Sequence, residues 1–216
     1  VAAVADLPSV TNGTTDEGTL SAALPITPNA ADGAAVTHFK ISGITGGKLY
    51  KQNGTTQIID GDFITTAEGA AGVRFLPLPA DANSVSDGPF SFDVQAVLDA
   101  AGTGMSPAAT ATITVEPVND APVVTTSGGH AAYTEGNNTT TSIAVDATLA
   151  VSDIDNLTLA TATVTISGNF MSGEDRLAFA NDGSTMGNVT GSYDSSTGVL
   201  TLTSAGATAT LAQWQS

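Results

Sequence analysis

Short runs with apolar residues at every second position dominate the chain. Phe39 and Ile41 alternate with His38, Lys40 and Ser42. Phe90, Phe92, Val94 and Ala96 alternate with Ser91, Asp93 and Gln95. Ala109, Ala111, Ile113 and Val115 alternate with Thr110, Thr112, Thr114 and Glu116. A period of two gives a strand one buried and one wet face. Asn53-Gly54 between two such runs predicts a two-residue type I′ hairpin. No window longer than ten residues carries a 3.6-residue period, so the expected class is all-β.

The pattern stops and restarts. Glu116-Pro117-Val118-Asn119-Asp120-Ala121-Pro122-Val123 sets two prolines around an Asn-Asp pair, directly after one strand and before another. Proline stiffens such a joint and keeps either strand from running through it. Beyond it, Ala162, Val164 and Ile166 alternate with threonines. Leu177 and Phe179 follow, and Leu200 and Leu202 come after a turn at 194–198. Ile-Ser-Gly recurs at Ile41 and Ile166, and Glu-Gly at Glu17 and Glu135, an internal repeat of roughly 115–120 residues. The expected organisation is a β-sandwich over 1–117, a linker over 118–122 and a second sandwich over 123–216. The second copy has no counterpart of Phe90–Val97 or Ala108–Val115, so its last strands are missing. Either the chain is cut short there or the strands come from another molecule, the cut being the expectation. The abrupt start at Val1 likewise reads as an excised piece whose export signal lies elsewhere.

Charge narrows the partners. The chain has 5 Lys and Arg against 21 Asp and Glu, a net −16. Both halves share the imbalance: −9 over 1–120 and −7 over 121–216. Such a surface repels polyphosphates, which excludes nucleic acid and argues against an anionic membrane. No apolar run approaches the ~18 residues of a membrane span. Cysteine is absent, so no disulfide braces the modules, and metal is the natural substitute.

The acids cluster where a metal would be useful. Asn119 and Asp120 form the joint. Asp153-Ile154-Asp155 ends a strand of the second half, and Glu17 ends an early strand of the first. A ten-residue strand spans roughly 30 Å. That length carries Glu17 to the joint, and a return strand brings Asp153 and Asp155 back to it. Glu17, Asn119, Asp120, Asp153 and Asp155 are therefore expected to converge there. By the same logic Asp6 and Asp32 serve a preceding junction and Glu135 a following one. Oxygen donors of this kind, completed by carbonyls and water, suit the six-to-eight-coordinate shell of Ca²⁺. Zinc, copper and iron are disfavoured, because thiolates are absent and His38 and His130 stand on different modules.

The run Phe92-Asp93-Val94-Gln95-Ala96, Ala111-Thr112-Ile113-Thr114-Val115 and Val118-Asn119-Asp120-Ala121-Pro122-Val123 resembles the cadherin-like repeats of giant bacterial surface proteins and adhesins. The resemblance implies tandem Ig-like, Greek-key sandwiches, type I secretion and a place on the surface of a Gram-negative cell. In that family an Asn-Asp linker, a Glu near the end of the first strand and an Asp-x-Asp of the next module bind interdomain calcium. Those roles pass to Asn119, Asp120, Glu17, Asp153 and Asp155. The family's middle acidic motif has no clear equivalent; Glu68, Asp81 and Asp87 are its candidates. Asp99 is the late-loop acid of the first module and has no partner in the second. The function so implied is that of a calcium-stiffened extender, whose partners are neighbouring repeats of its own polypeptide.

Other readings fit less well. Catalysis lacks a base beside a nucleophile: His38 lies on an outward strand face, His130 in a Gly-Gly-His loop, and no Gly-x-Ser-x-Gly is present. Asp60-Gly61, Asp87-Gly88 and Asp182-Gly183 read as turns. A glycan-binding adhesin domain would display aromatics, whereas Tyr50, Tyr133, Tyr193 and Trp214 read as partly buried. The Thr-x-Thr runs read as wet strand faces rather than a crystal-binding plane. A filament subunit completed by another molecule's strands remains as an alternative, distinguished by its polymerisation.

Overall fold

The computed structural model describes residues 3–133 and 142–216. They form two compact units, Val1–Val118 and Asn119–Ser216, each mostly strand. No helix among the described residues is long and apolar enough to cross a membrane.

In the first unit the chain runs through β1 (Ser9–Val10), β2 (Gly13–Asp16), β3 (Ile26–Thr27) and a 3₁₀ turn at Ala30–Asp32. It continues through β4 (His38–Thr45), β5 (Gly47–Lys51), β6 (Gln57–Ile58) and β7 (Phe63–Thr65). Helix α1 (Thr66–Ala71), β8 (Val73–Pro77), β9 (Ser91–Val97) and β10 (Ala109–Glu116) complete it. One five-stranded sheet has the order β2-β10-β9-β4-β7. The remaining strands pair as β6-β5-β8 and β1-β3, and a bridge from Leu24 to Val73 connects the two sets. The expected alternation is realised. Phe39, Ile41, Phe92, Val94, Ala96, Ala111, Ile113 and Val115 turn inward to meet Leu24, Ile26, Leu49, Ile58, Val73 and Phe75 in one core. Thr110, Thr112 and Thr114 face water. Phe75 and Phe90 meet edge to face, with ring centres 6.5 Å apart and planes at 84°.

Two local structures depart from simple strand pairing. β5 and β6 do form a hairpin, but not the two-residue type I′ turn that Asn53-Gly54 predicts. Gly54 has φ +70 while Asn53 does not enter the left-handed region, and the turn closes through Gly54 N–H to the Lys51 carbonyl. Asn53 uses its side chain instead: Oδ1 accepts from the N–H groups of Thr55 and Thr56 at 3.1 and 3.0 Å. Helix α1 is held at its start by a reciprocal cap. Thr65 Oγ1 accepts from Glu68 N–H and the Glu68 carboxylate accepts from Thr65 N–H. Gly69 lets this helix lie on the Phe39 ring, since a Cβ there would sit 2.6 Å from it.

The second unit contains β11 (Val123–Thr125), β12 (Ala150–Ser152), β13 (Thr158–Leu159), β14 (Thr161–Thr165), β15 (Val189–Asp194), β16 (Val199–Ser204), β17 (Ala209–Thr210) and α2 (Leu211–Trp214). They pair as β11-β12, β13-β17 and β14-β16-β15. Its core is thin: Val189, Leu200 and Ala209 are the buried apolar residues among those described. Ala162 and Ile166 are half-buried, while Val164 is exposed, contrary to the buried stripe its alternation predicts. Leu177 and Phe179 lie in irregular chain rather than a strand. Phe179 packs where Gly191 leaves room, a place a Cβ would occupy at 2.9 Å. Tyr50, Tyr193 and Trp214 are half-buried, and Tyr193 donates to the Asp175 carbonyl at 2.9 Å. Tyr133, expected to be partly buried, is exposed.

The internal repeat is visible in the pairing as well as in the sequence. Antiparallel β1-β3 corresponds to β11-β12. The β5-β6 hairpin, β7 and capped α1 correspond in order to the β15-β16 hairpin, β17 and α2, which also starts with a reciprocal cap, here Thr210 with Gln213. Counterparts of β8, β9 and β10 are not among the described residues.

Candidate metal centre

At one end of the first unit β2 runs parallel to β10, pairing Asp16 with Glu116. Glu17 follows directly, its N–H bonded to the Glu116 carbonyl at 3.0 Å. Its side chain is buried, 8% exposed. Oε1 accepts from Val118 N–H at 2.9 Å and Oε2 from Asn83 Nδ2 at 3.1 Å. Glu17 therefore grips the backbone at the residue before Asn119, and both of these donors are neutral. Asn83, absent from the expected site, is itself fixed. Its Oδ1 accepts from Val85 and Ser86 N–H groups, and Ser84 exchanges bonds with Val115. Asp87 joins the same loop, accepting from Ser86 Oγ at 2.7 Å. Of the three candidates for a middle acidic motif, Asp87 thus stands nearest Glu17 in the bonding network. Asp81 is exposed. Glu68 is engaged elsewhere, bonded to Lys51 Nζ at 2.6 Å, and that ammonium draws its carboxyl below the ordinary 4.5.

In the second unit, strand β12 delivers Asp153 and Asp155 next to the start of the unit. Asp153 Oδ1 accepts from the N–H groups of Asp155 (3.0 Å) and Asn156 (2.8 Å), the geometry of an Asx turn. Asp155 Oδ2 accepts from Asp120 N–H at 2.6 Å. Asn156 Nδ2 reaches Asn119 Oδ1 at 2.8 Å, and Asn119 Nδ2 reaches the Asp120 carbonyl at 2.9 Å. Four expected residues, Asn119, Asp120, Asp153 and Asp155, are thus tied into one network, with Asn156 as an unforeseen fifth. Asp153 Oδ2 is buried and has no hydrogen-bond partner. A buried carboxylate oxygen without a donor is costly. No ammonium or guanidinium offsets it, since Lys51–Glu68 is the ion pair found among the described residues. Among those residues no three His, Asp or Glu side chains already stand in metal-ligating arrangement; the carboxylates are turned toward backbone N–H groups.

The first unit repeats part of this device. Asp32 accepts Asp6 N–H with both oxygens, at 3.0 and 3.1 Å, as Asp155 accepts Asp120 N–H. Asn29, two residues past β3 where Asp153 is one past β12, likewise takes the N–H two residues on with its Oδ1, here an amide oxygen. Asp99 spends its carboxylate on its own loop. It accepts from Ala101 and Thr103 N–H groups and the Thr103 hydroxyl, bonds that lower its pKa. Glu135 lies outside the described residues. His38 is half-buried beside Thr37, 2.8 Å from its hydroxyl, and His130 is exposed.

Comparison with models of protein families and with curated proteins finds no match for this chain.

Proposed function

We propose that the chain is a pair of spacer modules of a large extracellular bacterial protein of the cadherin-like kind, stiffened at the 118–122 connection by Ca²⁺. The observation that carries the reading is the buried, donorless Asp153 Oδ2 within a network of Asn119, Asp120 and Asp155. An oxygen in that state calls for a cation, and the donors around it are carboxylates and amide carbonyls, the hard ligands calcium takes. The Ig-like, Greek-key sandwich assignment is supported by the first unit's inner faces sharing one core and by the parallel pairing of β2 with the last strand, β10.

Asp153, Asp155, Asp120 and Asn119 would hold the ion, which supplies charge neutralisation and no chemistry. Each protein group has a definite task. The Asx turn holds Asp153 in one rotamer, so its second oxygen is already aimed. Asp155 fixes Asp120 through its backbone. Glu17 and Asn83 fix the chain at Val118, so the segment reaching Asn119 leaves the first unit at a set place. Extracellular calcium modules work at Kd of about 10⁻⁴–10⁻³ M.

The test compares melting in EDTA and in calcium at tenfold excess over Kd. Mass action gives a stabilisation of about 1.4 kcal/mol, several degrees for a unit of this size. The rise should vanish in Asp153→Asn/Asp155→Asn. An equal rise in that variant would remove these residues from the site.

A further inference from the structure

Independently of calcium, the tetrapeptide Asn-Gly-Thr-Thr occurs twice in the first unit, at 12–15 and at 53–56, and the fold holds the two copies differently. In an Asn-Gly pair the backbone can attack its own side chain. The glycine nitrogen adds to the asparagine Cγ, and glycine has no Cβ to obstruct the approach. The four residues are the same in both copies, so local sequence does not separate them. Nor does solvent access: Asn12 and Asn53 are both exposed, and Gly13 and Gly54 are both half-buried. What differs is where each side-chain amide is held.

Asn12 is held away from its own backbone. Its Oδ1 accepts from Thr112 N–H at 2.9 Å, across to the neighbouring strand. Gly13 opens β2, which lies parallel to β10 in the register Gly13↔Ile113. The pair is fixed in extended chain with its side-chain carbonyl drawn toward β10. Attack by the Gly13 nitrogen would need that bond broken and the start of a sheet strand twisted out of place.

Asn53 is curled over its own backbone. Oδ1 accepts from Thr55 and Thr56 N–H at 3.1 and 3.0 Å, and Nδ2 donates to Thr56 Oγ1 at 2.9 Å. The ring closed by the Thr55 bond contains both Cγ and the Gly54 nitrogen, so electrophile and nucleophile are confined together. The two N–H groups on Oδ1 also stand where the negative charge of a tetrahedral intermediate develops. One feature opposes attack: Gly54 N–H bonds the Lys51 carbonyl at 2.8 Å. That bond lies in an exposed turn, where local opening is least costly. A separate bond from Lys51 N–H to the Thr56 carbonyl, also 2.8 Å, still closes the hairpin.

We propose that Asn53 is a site of spontaneous deamidation and that Asn12, in the same tetrapeptide, is protected from it. The Gly54 nitrogen gives its proton to water and bonds to Asn53 Cγ. The Cγ–Nδ2 bond breaks and ammonia leaves, taking up a proton from water. A second water then opens the cyclic imide at either carbonyl. Opening at the backbone carbonyl gives isoaspartate, and opening at Cγ gives aspartate. Either product adds a negative charge to the turn. Isoaspartate also routes the backbone through the side-chain carbons, which takes the Oδ1 acceptor from Thr55 and Thr56 and loosens the β5-β6 hairpin.

The test incubates the full chain at mildly alkaline pH and follows both sites by mass spectrometry and by isoaspartate detection. Trypsin, cutting after Lys40, Lys51 and Arg74, puts Asn12 and Asn53 on separate peptides, 1–40 and 52–74. The folded chain should convert Asn53 faster than Asn12 by roughly tenfold or more. In urea, where only the shared tetrapeptide remains, the two rates should converge. Gly54→Ala sets a Cβ beside the attacking nitrogen, and should slow Asn53 roughly tenfold while leaving Asn12 unchanged. If that variant loses the hairpin, read as exchange protection of the Lys51 amide, the folded-against-urea comparison of the parent chain decides alone. Equal rates at the two sites in the folded chain, or faster conversion at Asn12, would overturn the proposal. So would an intact Asn53 over the time in which the urea-unfolded chain converts, or a rate unchanged by Gly54→Ala in a folded hairpin.

Discussion

Replacing Glu17 by Ala should destabilise the first unit by about 2–4 kcal/mol. The carboxylate accepts two bonds, from Val118 N–H and Asn83 Nδ2, at 2.9 and 3.1 Å. A hydrogen bond to a charged group contributes about 1.5–3 kcal/mol, and an abandoned buried donor costs about 1–3 kcal/mol. Against this, the variant no longer has to hold a carboxylate at 8% exposure, which returns part of the loss. Glu17→Gln keeps one carbonyl acceptor and turns an NH₂ toward the other donor, so it should cost about half as much. Each kcal/mol lowers the melting temperature of a domain this size by about 4 °C, placing the Ala variant about 8–16 °C lower. Urea unfolding is best followed through NMR signals of Ile41 and Val94, both fully buried in this unit. Trp214 belongs to the other unit and is blind to the effect. The Val118 amide should lose its exchange protection in parallel. A loss below about 0.5 kcal/mol, the level of an ordinary surface change, with Val118 still protected, would show that Glu17 does not anchor this end.

Phe92→Ala empties the centre of the first core and should cost about 3–5 kcal/mol in the same urea assay. Thr65→Ala removes the α1 cap and should cost about 1 kcal/mol, with the loss confined to amides of that helix. Lys51→Ala should cost about 0.2–1 kcal/mol at pH 7, the range of exposed ion pairs. Since Lys51 lowers the Glu68 pKa from its ordinary 4.5, the pair's contribution is complete above that value. It is lost as pH falls through the lower folded pKa, so variant and parent stabilities should converge in acid.

Much of this was readable in the residues because the long first-unit strands carry a two-residue period over a real core. β4, β9 and β10 place their apolar residues inward as their spacing requires. The same spacing misleads at Val164, because alternation predicts which side chains share a face and says nothing of whether anything covers that face. Asn53-Gly54 announced a hairpin correctly but not its turn, since Asn53 bonds two N–H groups rather than adopting a left-handed backbone. In the candidate centre, strand length was enough to carry Asp153 and Asp155 to the start of their unit. Asn83 and Asn156 were not legible as partners. Their roles arise from loop conformations that close over long sequence separations, 66 residues between Asn83 and Glu17. The one local signal was that Asn156 directly follows the Asp-x-Asp.

The central claim is that the Asn119, Asp120, Asp153 and Asp155 network takes calcium. The most direct measurement is a calcium titration of the full chain watched at the backbone amides of Asp120, Asp155 and Asn156 by NMR. Saturable shifts are expected at these three amides with Kd of about 10⁻⁴–10⁻³ M, absent in Asp153→Asn/Asp155→Asn. Amides that stay still through 10 mM calcium, about ten times the weakest such Kd, would contradict it.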